Sequence, residues 1–197
     1  GQLYKHLRHQ HKKYRKRYGS PKRQGSIKNR IMIDARPKIV DEKSRIGDWE
    51  IDTIIGKNHK QAVLSIVERV SKFTLLKKLK TKTSIATQLA LAEALTTYKD
   101  QVFTITSDNG CEFAKHREIS KELNAQFYFA HPHSSWERGL NENTNGLVRQ
   151  YLKKGSGLTH ITDKDLAIIA DKLNSRPRKT LGYKSPNEVF TNLNNGD

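Results

Sequence analysis

Cysteine is nearly absent from this chain of 197 residues. The one present, Cys111, leaves no internal disulfide framework and no cysteine-rich zinc site. No apolar run approaches the roughly 20 residues needed to cross a bilayer, and the first thirty residues lack the apolar stretch of a secretory signal. These absences lead us to expect a soluble, intracellular protein with no membrane partner. No carboxylate precedes Asp34, and no internal repeat or low-complexity tract is visible. The length suits one ordinary domain with a proper core plus an appendage. A start at Gly1 rather than Met raises the expectation of a further domain upstream.

Positive charge is what the chain has in excess. Lys and Arg number 37 against 20 Asp and Glu, a net charge of +17, and the sequence pI is about 10.0. A field of that sign attracts polyanions. An anionic membrane surface would call for a basic helix with a strong apolar face, and none is seen, so nucleic acid is the expected partner. Eleven of the basic residues lie between Gly1 and Arg30. Leu3, Tyr4 and Leu7 suggest a short helix, and Lys12, Lys13, Arg15, Lys16 and Arg17 form an almost continuous basic run before the Gly-Ser-Pro break at Gly19. Residues 1–44 read as a basic arm or linker and 45–197 as the folded core. A solvated linker and an arm lying along phosphates are both compatible with this composition.

From Gly47 onward the texture changes. Trp49 to Ile55, Ala62 to Val67 and Phe73 to Leu79 read as strands of an antiparallel meander. Thr83 to Tyr98 reads as a helix capped by Thr83 or Ser84, with Ile85, Leu89, Ala92 and Leu95 at helical spacing. A short strand at Val102 to Thr106, a helix from Glu112 to Leu123 and a strand from Phe127 to Ala130 follow. A helix from Arg138 to Lys153 is expected to carry Leu140, Thr144, Leu147 and Tyr151 on one stripe, and another spans Asp163 to Leu173, ending before Pro177. This order implies an α/β mixed sheet flanked by helices.

Three carboxylates stand out. Asp52 sits inside an apolar strand, where an unpaired charge is costly to bury; a salt bridge to one of the many cations is the ordinary explanation. Asp108 follows a strand in Ser-Asp-Asn-Gly, which is also common turn chemistry, at the kind of strand end where α/β proteins collect ligands. Glu142 shares a helix face with Gly146, Arg149 and Lys153, a solvated face in the ordinary case. Together the three make an oxygen-only donor set in a basic chain, which suits Mg²⁺ or Mn²⁺ and phosphodiester chemistry. Arg138, Asn141 and Asn145 are candidate contacts to a DNA backbone, as are Arg149, Lys153 and the loop residues Arg176, Arg178 and Lys179. Trp136 reads as a packing residue rather than a base-stacking platform. His131 and His133 lack a third soft ligand.

The motifs GDWEIDTIIG around Asp52, ITSDNGCEFAKH around Asp108 and SSWERGLNENTNGLVRQY around Glu142, with LNSRPRKTLGYKSPNEVF beyond, resemble the transposases of the insertion sequence thirty family. That family lies within the Asp-Asp-Glu transposase and retroviral-integrase group, and the likeness runs from about Leu3 to Phe190. Thirty-three residues separate Asp108 from Glu142, as in that family. The stretch after the glutamate helix, Tyr151-Leu-Lys-Lys-Gly, and His133 depart from its pattern.

The resemblance implies a ribonuclease-H-like fold, a five-stranded mixed sheet with helices on both sides. It also implies that Asp52, Asp108 and Glu142 are catalytic and hold two Mg²⁺ ions, with Mn²⁺ as a substitute, to cleave DNA at element ends and join the 3′ ends to target DNA. Double-stranded DNA, a homo-oligomer assembled on it and a cytoplasmic, nucleoid-associated location complete the expectation. A metal-dependent nuclease without joining activity and a catalytically silent DNA-binding remnant are the alternatives. Glu112 is expected to stand outside the site and to matter little.

Overall fold

The computed structural model describes residues 27–57, 61–132, 134–153 and 157–194. The basic run from Lys12 to Arg17, the Leu3, Tyr4 and Leu7 stripe, and His133 lie outside the described residues.

Runs of β-branched and aliphatic side chains form five strands: β1 (Asp48–Ile55), β2 (Ala62–Glu68), β3 (Thr74–Leu79), β4 (Thr104–Ser107) and β5 (Gln126–Phe129). The first three make the expected antiparallel meander, and β4 and β5 add in parallel, giving the order β3-β2-β1-β4-β5. Parallel neighbours need crossover connections. These are α2 (Ser84–Leu95) and α3 (His116–Leu123). Strand β1 is therefore central, flanked by β2 and β4.

Alternate residues of β1 face opposite sides. On one side Trp49 and Ile51 join Leu64, Ile66, Leu91, Ile105 and Phe127 in the larger core. The Trp49 indole N–H donates to the Gln101 carbonyl at 3.0 Å, so the ring is buried with its donor satisfied. On the other side Ile54 and Val63 pack on Val148 of α4 (Gly139–Val148) and on Leu166 and Leu173 of α5 (Asp163–Asn174). Helices thus cover both faces. Helix α5 starts on a capping box in which Thr162 and Asp165 exchange hydrogen bonds. A further helix absent from the sequence reading, here called α6 (Pro186–Asn194), brings Phe190 onto Trp49 and Phe73.

Three expectations change. Thr83 does cap α2, and Ala92 and Leu95 are buried as expected, but Ile85 and Leu89 are exposed, and Thr87, Leu91 and Ala94 complete the buried side. The helix is apolar nearly all round, so spacing alone did not select its inner face. The helix expected from Glu112 begins only at His116, because Cys111–Phe113 form a 3₁₀ turn. The helix expected to reach Lys153 ends at Val148, with Asn141, Thr144 and Val148 buried and Tyr151 exposed. Residues before β1 also pack on the sheet: Ile27 enters the larger core, Met32 bridges Phe129, and Val40 of α1 (Lys38–Glu42) is fully buried. Among the described residues no helix is long and apolar enough to cross a membrane.

Candidate active site

Asp52 projects from the middle of β1 and Asp108 follows the last residue of β4, the strand beside it. Parallel pairing brings the two carboxylates to one guanidinium. Arg138 Nη1 lies 3.6 Å from Asp52 Oδ1 and Nη2 lies 3.7 Å from Asp108 Oδ2. Asp52 Oδ1 also accepts the Thr53 N–H at 2.8 Å, and Oδ2 accepts from Asn145 Nδ2 at 2.9 Å. Asp108 Oδ1 accepts the Gly110 N–H at 2.9 Å in a tight turn. Asn109 steadies that turn, accepting from Arg30 and donating to the Ala130 carbonyl at 2.6 Å. Burial pushes the Asp52 carboxyl above its ordinary range; Arg138 opposes this and Asp108 adds to it.

Glu142 stands in the first turn of α4, exposed and without a hydrogen bond or ion pair among the described residues. Its helix is tied to β1 on either side of it. The buried Glu50 carboxylate accepts the Asn141 N–H at 3.2 Å, and Asn145, one turn on, reaches Asp52. Among the described residues no three His, Cys, Asp or Glu side chains lie close enough together to hold a metal ion. Of the three predicted carboxylates, Asp52 and Asp108 share one guanidinium, and Glu142 stands on the adjoining helix.

The seam between α4 and β1 is poor in partners. Among the described residues, nine buried side-chain polar atoms lack a hydrogen bond, and six belong to Arg138, Asn141, Asn145 and Arg149. Buried polar groups elsewhere are normally paired, so this concentration marks a place built for polar or ionic company. The hard oxygen donors of Asp52 and Asp108 suit a divalent cation in kind.

Other candidates fare differently. Asn141 is fully buried, with no side-chain surface for a phosphate. Asn145 is engaged with Asp52, and Arg149 Nη2 donates to the Ile55 carbonyl at 2.8 Å. Arg178 caps the end of α5 through the Leu173 carbonyl at 3.0 Å, whereas Arg176, Lys179 and Lys153 are exposed. Trp136, read as a packing residue, is 74% exposed in a 3₁₀ turn, with its ring free of the core. His131 sits between Glu137 and Asp34, each at 2.9 Å.

Sequence reasoning missed the part played by two buried carboxylates close to Asp52. Glu112 is buried, accepting from Thr53 Oγ1 and paired with Lys82, both at 2.9 Å, one residue from Asp52. Through Thr53 it neighbours Asp52. A Cβ at Gly110 would meet Glu112 Oε2 at 2.5 Å, which explains the glycine. Glu50 alternates with Asp52 along WEID, a signal that was visible but read as ordinary strand patterning.

No family model matches the chain. It is 50% identical over 195 residues to the transposase for insertion sequence element IS4351 of Bacteroides fragilis, covering 99% of this chain and 60% of that protein. Identity to the IS1086 transposase of Cupriavidus metallidurans is 40% over 172 residues, covering 87% and 51%. For the IS30A transposase of Escherichia coli it is 34% over 189 residues, covering 94% and 49%. Over most of its length the chain is thus similar to insertion sequence transposases, that of IS30A among them. It spans between 49% and 60% of the length of these relatives. The catalytic core domain of BIV integrase superposes with a TM-score of 0.53 at 20% identity, covering 75% of this chain and 95% of that one. A chain of the simian T-cell lymphotropic virus intasome does so with a TM-score of 0.60 at 19% identity, covering 74% and 54%. These likenesses concern the fold, which is ribonuclease-H-like.

Proposed function

We propose that this chain is the catalytic core of a DNA transposase that cleaves phosphodiesters at the ends of a mobile element and joins the freed 3′ ends to target DNA. The observation that carries the reading is the convergence of Asp52 and Asp108, from neighbouring parallel strands, on one loosely held guanidinium beside the helix that bears Glu142. In this reading the three carboxylates hold two Mg²⁺ ions, for which Mn²⁺ substitutes. Bound there, the ions supply an activated water or 3′-hydroxyl and a stabilised leaving oxygen. The chain's own part is positional. Thr53 and Gly110 each fix one aspartate oxygen by a backbone N–H, and α4 presents Glu142, which must swing toward the pair.

Double-stranded DNA, as element end and as target, is the proposed partner, and a homo-oligomer on DNA the proposed active form. The arm residues Lys12, Lys13, Arg15, Lys16 and Arg17 and the exposed Lys153, Arg176 and Lys179 are proposed to meet phosphates. Replacing the five arm residues with Gln should flatten the slope of log affinity against log salt by roughly 0.9 per lost contact. An unchanged slope would show that the arm does not reach DNA.

The deciding experiment is strand transfer with pre-cut element ends, with and without Mg²⁺. Joining that needs Mg²⁺ and is lost in Asp52→Asn, Asp108→Asn and Glu142→Gln, with circular dichroism and non-specific DNA affinity retained, supports the reading. Cleavage without joining would replace it with a nuclease, and DNA binding with neither would leave a silent remnant.

A further inference from the structure

Arg138 differs from the other arginines that meet β1 acids. Arg45 grips Asp48 with two hydrogen bonds, Nε to Oδ2 at 3.0 Å and Nη2 to Oδ1 at 3.1 Å, and Arg69 is hydrogen-bonded to Glu50. Arg138 instead stands 3.6 Å and 3.7 Å from its two carboxylates, beyond the roughly 2.7–2.9 Å of a charge-assisted hydrogen bond. Its side chain is only 13% exposed, yet Nε and Nη1 have no hydrogen-bond partner among the described residues. A guanidinium carries five donors in a fixed fork, so leaving these buried and unused is unfavourable. Charge, rather than a well-formed hydrogen bond, holds it.

Its place in the backbone allows it to leave. Arg138 lies where the 3₁₀ turn Ser135–Arg138 meets α4, with φ −127° and ψ 36°, outside helical geometry. The following Gly139 has open space where a Cβ would be. A side chain at such a joint can swing without unwinding α4, whose own ties run through Asn141 and Asn145.

From this we infer that Arg138 is a positioning residue: an internal cation that holds Asp52 and Asp108 together until a divalent ion takes its place between them. The inference rests on the proposed metal-dependent reading. Arg138 neutralises only part of the charge of two carboxylates that would otherwise repel each other, whereas a divalent ion balances both. Ion and guanidinium cannot share the position, because like charges at that range repel strongly in a partly buried site. The displaced guanidinium then offers its fork to a phosphate oxygen. Arg138 thus alternates between carboxylates and DNA backbone.

The test is the affinity of the chain for Mn²⁺ without DNA, measured by the paramagnetic resonance signal of free Mn²⁺. Removing a competing cation should tighten binding, an effect that mere structural damage does not produce. Arg138→Gln should bind Mn²⁺ about fivefold more tightly or better, Arg138→Lys should stay near wild type, and Asp52→Asn should lose binding. Equal or weaker binding by Arg138→Gln, with binding still lost in Asp52→Asn, overturns the inference alone. Binding untouched by Asp52→Asn overturns the metal-site reading along with it. A second measurement avoids changing Arg138 at all. Movement of Arg138 should alter the emission of Trp136, two residues away, as Mg²⁺ saturates the wild-type chain, and Trp136→Phe should abolish the change. An emission that does not respond to Mg²⁺ under saturating conditions overturns the inference.

Discussion

Asp48, Glu50 and Asp52 leave the same side of the same strand, yet they live in three environments. Asp48 is gripped by Arg45 and accepts the Thr104 hydroxyl at 2.7 Å. Glu50 is buried between Arg69 and the N–H of Asn141, in a network in which Arg36 and Arg69 both also meet Asp41. Asp52 has the backbone of Thr53, the amide of Asn145 and a guanidinium at a distance. The ordinary explanation for an acid in an apolar strand, a salt bridge, holds for the first two. It holds more loosely for the third, whose cation stands 3.6 Å away. Fully paired carboxylates maintain architecture, while a carboxylate short of partners is available for chemistry.

The largest expected effect separates Asp52 from its neighbours outright. Asp52→Asn should reduce strand cleavage on the order of a thousandfold or more while moving the melting temperature by less than about 2 °C. A large loss of stability would place Asp52 with the structural acids. Glu50→Ala should do the opposite first, destabilising the fold by about 3–5 kcal/mol in urea titrations, because Arg69 is left charged and buried. Glu50→Gln should lose less, since an amide oxygen still accepts the Asn141 N–H. Asp48→Ala should cost about 1–3 kcal/mol, because Arg45 is 32% exposed and rehydrates. Equal penalties for Asp48→Ala and Glu50→Ala would break the proposed gradation.

The smallest expected effect concerns Glu68, a buried acid with no cation partner among the described residues. It accepts from the N–H groups of Gly47, Val70 and Ser71 and from the Ser71 hydroxyl. Burial nevertheless holds its carboxyl above the ordinary value of 4.5. The folded state therefore binds this proton more readily than the unfolded chain, and stability rises as pH falls through the raised value toward 4.5. Glu68→Gln lacks this proton, so wild type should gain on it over that descent in paired thermal melts. A difference that stays flat with pH would show that the hydrogen bonds cancel the burial.

The legible parts of the fold were those written in local pattern. The WEIDTII strand, the Thr83 cap and the end of α5 before Pro177 all follow from short-range preferences and appear where expected. Faces were harder to read. Ile85 and Leu89 are as apolar as Leu91, and only the position of the sheet decides which of them it covers. Trp136 was read as packing because large aromatics usually bury, but its 3₁₀ turn holds it outward. Asn141 and Arg178 looked like phosphate contacts by residue type, but Asn141 is fully buried and Arg178 is tied to the Leu173 carbonyl.

By itself the sequence determined the strand and helix order, the basic charge, and three acidic motifs at a family spacing. These are properties of residue type and short intervals. Only the tertiary structure decided which acids are paired for stability and which stand open, because many of the deciding partners are remote. Asn145 lies 93 residues from Asp52, and Asn141 lies 91 from Glu50. Electrostatics at a carboxylate depends on what stands within a few ångströms of it, and no local pattern records that Arg138 would be the cation set loosely between Asp52 and Asp108.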